Sequence, residues 1–142
     1  MNFEEQPTGL ALRRKVLLKC RWKEPEPDKE YNVLYGGSRT SINEKDFKYF
    51  LVMDGFVYQN DELPPVESCL TAWGQHVWPV LYAKGYRHIS WGDSLPTIKE
   101  KYYGLLEQAK HDGLLKSFGL GDSPCQALCY ATLEALRCTK KL

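Results

Sequence analysis

No stretch of this chain approaches the ~18 consecutive apolar residues of a membrane span. The opening MNFEEQPTG is acidic and poor in apolar residues, unlike a secretory signal. The protein is therefore expected in the cytoplasm, with no membrane as partner. Charge of one sign is also missing: 19 Lys and Arg stand against 18 Asp and Glu, a formal +1. No net field recruits a phosphate backbone, and nucleic acid is not an expected partner. Histidine is scarce. His76, His88 and His111 fall in different elements, none spaced from a cysteine or carboxylate as zinc requires, so neither metal nor cofactor is expected. GxGxxG, a P-loop, GxSxG, HExxH and paired CxxC are all missing, which argues against an enzyme, and no catalytic residue is assigned. The five cysteines are odd in number, and Cys125 and Cys129 lie one helical turn apart in an apolar setting. Reduced thiols are expected rather than a disulfide framework.

What is present fits one α+β domain over residues 1–142, with residues 1–8 expected to be flexible. The longest helical period lies in Leu63–Gly85, where Val66, Leu70, Trp73, Val77 and Leu81 form one stripe. Pro64 and Pro65 suit its first turn and Gly85 the left-handed position past its end. Pro79 inside the pattern predicts a kink or early stop. Before this helix, Thr8 is placed to cap a basic helix over Leu10–Arg21, and the proline-broken KEPEPDKE predicts an exposed connection. The basic face of that helix is expected to be solvated, with an anionic contact surface as the alternative. Tyr31–Tyr35 reads as a strand and SRTSINEKD as a surface loop. Asp54-Gly55 between KYFLVM and FVYQN is the strongest hairpin signal.

Beyond Gly85, YRHISWG alternates as a strand. Ser94 before Leu95-Pro96 predicts another helix with Ile98, Tyr102, Leu105 and Ala109 as its stripe, ending at His111-Asp112-Gly113. Leu114–Phe118 is expected as a short strand or extended crossing. Ser123-Pro124-Cys125-Gln126 then opens a last helix to about Cys138, with Ala127, Ala131 and Ala135 in a row that allows close backbone approach.

Three stretches, LALRRKVLLKCRW, LPPVESCLTAW and DSPCQALCYATLEAL, together resemble the phage ABA sandwich domain family, whose members are largely of unknown function. The resemblance implies helices packed on both faces of an antiparallel sheet, and brings no catalytic residue with it. On the residues themselves, the aromatic content is the unusual feature, with four Trp and nine Tyr. Tyr35, Arg39, Trp78, Arg87 and Trp91 are the candidates for an exposed aromatic and basic surface that docks a partner. The expected function is a non-catalytic accessory protein of phage or mobile-element type that binds a protein. A binder of a small nucleotide-like molecule is the alternative, with the helix entry GLGDSP as a place for an anion.

Overall fold

A computed structural model describes residues 6–34, 39–110 and 113–137. The first helix, α1 (Gly9–Leu18), stops short of the expected Arg21. Thr8 precedes it with extended backbone, but its side chain makes no capping hydrogen bond. The helix closes in a Schellman-type turn. The Trp22 N–H donates to the Leu17 carbonyl at 3.2 Å, and Arg21, at φ 80°, takes the left-handed position usually held by glycine. That turn delivers Trp22 into the core beside Cys20.

The basic face of α1 is not simply solvated. Arg13 forks onto the Glu67 carboxylate, with Nε to Oε1 at 2.9 Å and Nη2 to Oε2 at 2.8 Å. The hydrogen bond with Glu67 raises the Arg13 pKa above its ordinary value. Arg14 donates to the Phe50 carbonyl at 2.9 Å and to Asn60 Oδ1 at 2.7 Å, and its burial lowers its pKa. Two arginines of the face expected to be solvated thus tie α1 to the chain around it, leaving Lys15 and Lys19 exposed.

A mixed sheet follows, built from β1 (Glu30–Val33), β2 (Arg39–Ser41), β3 (Phe50–Met53) and β4 (Phe56–Gln59) in the order β2-β1-β4-β3. The predicted hairpin forms as read: Met53 pairs with Phe56, and Asp54 and Gly55 take φ 53° and 84° as a two-residue turn demands. β1 joins β4 in parallel. The stretch read as a polar loop supplies β2 and a 3-10 turn over Glu44–Tyr49.

The central stripe is buried through Val66, Trp73, Val77 and Leu81, while Leu70 is partly exposed. The helix carrying it is divided. Pro64 to Cys69 wind through tight turns, and α2 (Leu70–His76) and α3 (Trp78–Ala83) meet at Val77. Proline dictates the break. Pro79 has no N–H to give the preceding turn, and as an early residue of a new helix it needs none. Gly85, at φ 105°, ends α3 in the left-handed conformation its position predicts.

The largest correction concerns residues 95–121. The expected helix over Leu95–His111 is absent; in its place β6 (Tyr102–Lys110) pairs antiparallel with β5 (Tyr86–Asp93) and with β7 (Gly113–Gly121). His111 and Asp112 lie outside the described residues. These three strands form a second sheet in the order β5-β6-β7, so the β3–β4 hairpin does not share a sheet with the strands under the C-terminal helix. That helix, α4 (Pro124–Arg137), starts where its capping sequence says: the Gln126 N–H donates to Ser123 Oγ at 3.1 Å, and Gln126 Oε1 accepts from the Asp122 N–H at 2.6 Å.

α4 lies on β6 and β7 with almost nothing between. A Cβ on Gly104 would come within 2.8 Å of the Ala127 backbone. One on Gly119 would sit 2.4 Å from the Ala127 carbonyl oxygen, and one on Gly121 2.7 Å from the Ala127 nitrogen. Glycine on the strands and alanine on the helix permit this approach, as the alanine row suggests. The core gathers Leu12, Val16 and Leu17 of α1, Trp73, Val77 and Leu81 of the central pair, Leu51 of β3, Leu106 of β6, and Leu128 and Cys129 of α4. Inside it the Trp73 indole donates to Thr132 Oγ1 at 3.3 Å, and that hydroxyl donates to the Leu128 carbonyl at 2.7 Å.

Cys20, Cys69, Cys125 and Cys129 are free thiols. Burial pushes Cys20 up to about 12 and Cys125 up to about 11, and raises Cys129 as well. A thiol so far above neutral pH carries little thiolate, so these side chains are packing groups and poor nucleophiles.

Two outcomes follow from this packing. Gly119→Ala should destabilise the protein by about 1–3 kcal/mol or more through overpacking, whereas Gly74→Ala, at an exposed helical site with open space around it, should be neutral or stabilising by up to about 1 kcal/mol. Equal denaturation midpoints for the two variants would refute the close helix–sheet contact. Iodoacetamide at about pH 8 should leave Cys20, Cys125 and Cys129 unmodified in the native protein and label them in denaturant. Rapid native labelling of Cys129, read by peptide mass spectrometry, would contradict its burial.

Candidate binding surface

Because directly opposed residues in an antiparallel pair share a face, the register of β5, β6 and β7 sorts their side chains into two sets. Leu106, Ser117 and the glycines 104, 119 and 121 point to α4 and are buried. The alternate residues form rows on the other side: Ser90–Leu105–Phe118, Gly92–Tyr103–Leu120 and His88–Glu107–Lys116. Among the described residues no helix packs on that side. Its centre is nevertheless apolar. Tyr103 and Phe118 stack with ring centroids 6.4 Å apart and planes 11° from parallel, and Phe118 is 53% exposed. Leu105 and Leu120 are half-buried beside them. A Cβ on Gly92 would come within 3.1 Å of the Tyr103 ring, so the missing side chain lets that ring lie down on β5. At one end Lys116 approaches Glu107 at 3.7 Å, a partly exposed pair that orients charge more than it adds stability.

The five candidates from sequence do not form one cluster. Tyr35 lies outside the described residues. Arg39 is exposed on β2, in the other sheet. Trp78 is not an open platform: it packs against the core and stacks on Trp73 at 6.2 Å. Its other neighbour is Tyr82, one turn along α3, at 6.1 Å. Arg87 lies 3.8 Å over the Tyr82 ring and donates to the Tyr82 and Tyr86 carbonyls at 2.8 and 2.9 Å. Trp78 and Arg87 are thus joined through Tyr82, with the guanidinium engaged within the chain. Trp91 is 45% exposed, but it pairs with Gly104 and so stands on the α4 side of the sheet.

The entry to α4 holds fewer free donors than its sequence implies, since the N–H groups of Asp122, Gln126 and Ala127 are all engaged within the chain. Sequence reading passed over Tyr103 and Phe118. The available signal was the alternation Lys116, Phe118, Leu120 against Ser117, Gly119, Gly121.

Among the described residues no helix is long and apolar enough to cross a membrane. No family model matches the chain, so the resemblance to phage ABA sandwich domains has no counterpart at that level, and no curated protein matches it. A phage protein from Bacillus cereus ATCC 14579, solved by crystallography at 2.0 Å, is similar to this chain with a TM-score of 0.49 and 13% sequence identity, over 95% of this chain and 99% of its own.

Proposed function

We propose that this domain is a non-catalytic accessory protein of phage or mobile-element type that acts by docking a protein partner on the open face of the β5–β6–β7 sheet. The observation that carries the reading is that, among the described residues, no helix covers that side of the sheet. Aromatic and aliphatic side chains occupy its centre, Phe118 is 53% exposed, and the flanking row His88–Glu107–Lys116 is polar. An apolar centre with a polar rim is the anatomy of a protein–protein interface, and aromatic residues at such a centre contribute most of the binding energy. The three stretches similar to phage ABA sandwich domains support the accessory role. Self-packing of two copies through this face is a special case of the same chemistry.

Phe118→Lys changes an exposed position, so folding stability should shift by less than about 1 kcal/mol. If Phe118 is a central contact, affinity for the partner should fall by about 2 kcal/mol or more, roughly thirtyfold. Affinity capture with the wild type, Phe118→Lys and Trp91→Ala, together with sedimentation of each protein alone, makes the comparison. Loss of the captured partner, or of self-association, in the Phe118 variant alone supports the reading. Unchanged behaviour of that variant removes the open face from the proposal, and loss with Trp91→Ala alone moves the interface to the α4 side.

A further inference from the structure

The edges of the two sheets carry an inference of their own. A strand edge left unpaired is a template for another chain, and folds blunt it by shortness, a bulge, charge or cover. Three of the four edges here are treated in that way. β2 is three residues long. The outer side of β3 is bridged by Lys23, which exchanges hydrogen bonds with Val52 at 3.0 and 2.7 Å. β5 carries a bulge between Tyr86 and His88, and Arg87 is tied back to the Tyr82 carbonyl of α3 at 2.8 Å. β7 is the exception. It runs nine residues in unbroken register with β6, holds no proline and a single charge, Lys116, and among the described residues no strand pairs with its other side. We infer that a second copy of this chain adds to that edge, β7 antiparallel to β7 about a two-fold axis at Ser117, which joins the two three-stranded sheets into one.

The backbone shows which groups the edge offers. The Ser94 N–H donates to the Lys101 carbonyl at 3.0 Å, so on β6 the backbone of Tyr103 and Leu105 faces β5 and that of Gly104 and Leu106 faces β7. Gly119 and Ser117 oppose Gly104 and Leu106 and therefore use their N–H groups on β6, while Lys116, Phe118 and Leu120 turn theirs outward. Those outward groups have no hydrogen-bond partner among the described residues. A cavity of about 650 Å³ is lined by every residue from Phe118 to Asp122. One lying on a single face of a strand would touch alternate residues, so this one follows the edge. The occupant follows from the strand's own symmetry. Centred on Ser117, Gly113–Gly121 overlaps its copy over the full length, and every outward residue meets another outward residue. Lys116 then opposes Phe118 of the other copy, so the strand's one charge meets an aromatic ring instead of its own kind. Each Lys116 also keeps Glu107 of its own chain, at 3.7 Å. The pairing uses backbone at the edge and leaves the side chains of the open face available, so it stands or falls separately from docking on that face.

The test joins sedimentation velocity with amide hydrogen exchange on the full chain. Over a wide concentration range the wild type should show a reversible dimer. Exchange read residue by residue on nitrogen-15-labelled protein should protect the Lys116, Phe118 and Leu120 N–H groups where the dimer dominates and release them on dilution, while Ser117 and Gly119 stay protected throughout. Lys116→Pro removes an outward N–H without touching the ladder to β6, and sets a ring in the path of the second strand. Its dimer dissociation constant should rise by at least about tenfold, the effect of losing one hydrogen bond. Lys116→Ala, which keeps the N–H, should still form the dimer. A monomer at every concentration overturns the inference. So does a dimer whose outer amides exchange as fast as in the monomer, or one that Lys116→Pro leaves unchanged. Such a dimer, if lost in Phe118→Lys, would belong to the open face, and capture of a partner on that face by a monomeric protein would leave the docking proposal intact. Should Lys116→Pro not fold, exchange in the wild type decides alone.

Discussion

The contact of α4 with β6 and β7 is the constraint on which the rest of this structure depends. Gly104, Gly119 and Gly121 present bare backbone to the turn of helix around Ala127, and none of the three tolerates a methyl group without displacing that helix. Leu128 and Cys129 of the same helix enter a core shared with α1 and the central pair. The contact also fixes the orientation of the sheet, because register allows only one face of each strand to meet the helix. A three-stranded sheet that gives one face to a single helix must present its other face to something else. Among the described residues that other face is the Tyr103–Phe118 side, the geometric consequence of the buried glycine side.

That consequence explains why the second sheet was the least legible part of the sequence. A strand announces itself by contrast between its faces, polar against apolar at a period of two. In β6 the buried residues are Gly104 and Leu106 and the open ones Tyr103 and Leu105, so both faces read alike. With that contrast erased, Ile98, Tyr102, Leu105 and Ala109 coincide with a helical stripe that no helix uses. Gly104 in the middle of the supposed helix, and Asp112-Gly113 at its end, were signals of a strand pairing with a strand. Elsewhere local chemistry decides and the sequence is easily read: Asp54-Gly55 makes its turn, Ser123 and Gln126 cap their helix, Gly85 stops α3 and Pro79 divides the central helix.

The candidate surface was legible only in kind. An abundance of aromatic residues directs attention to tyrosine and tryptophan, but exposure is settled by which element supplies the other side. Trp78 had a neighbour one turn before the break, Trp73, and another one turn after it, Tyr82, so it closes over the core. Arg87 found the Tyr82 ring and two carbonyls at the end of the same helix. Among the described residues Phe118 has no such partner from the helices, and that isolation, invisible before the register is known, leaves it 53% exposed.

The basic end of α1 follows the same logic in reverse. Its charges suggest an anion, yet Arg13 and Arg14 are already bound to Glu67, Phe50 and Asn60 and serve the fold. The helix end has another feature, a left-handed Arg21 that turns the chain and seats Trp22 in the core. A glycine would take that turn with less strain. The helix end thus acts through the shape of its backbone rather than through its charge.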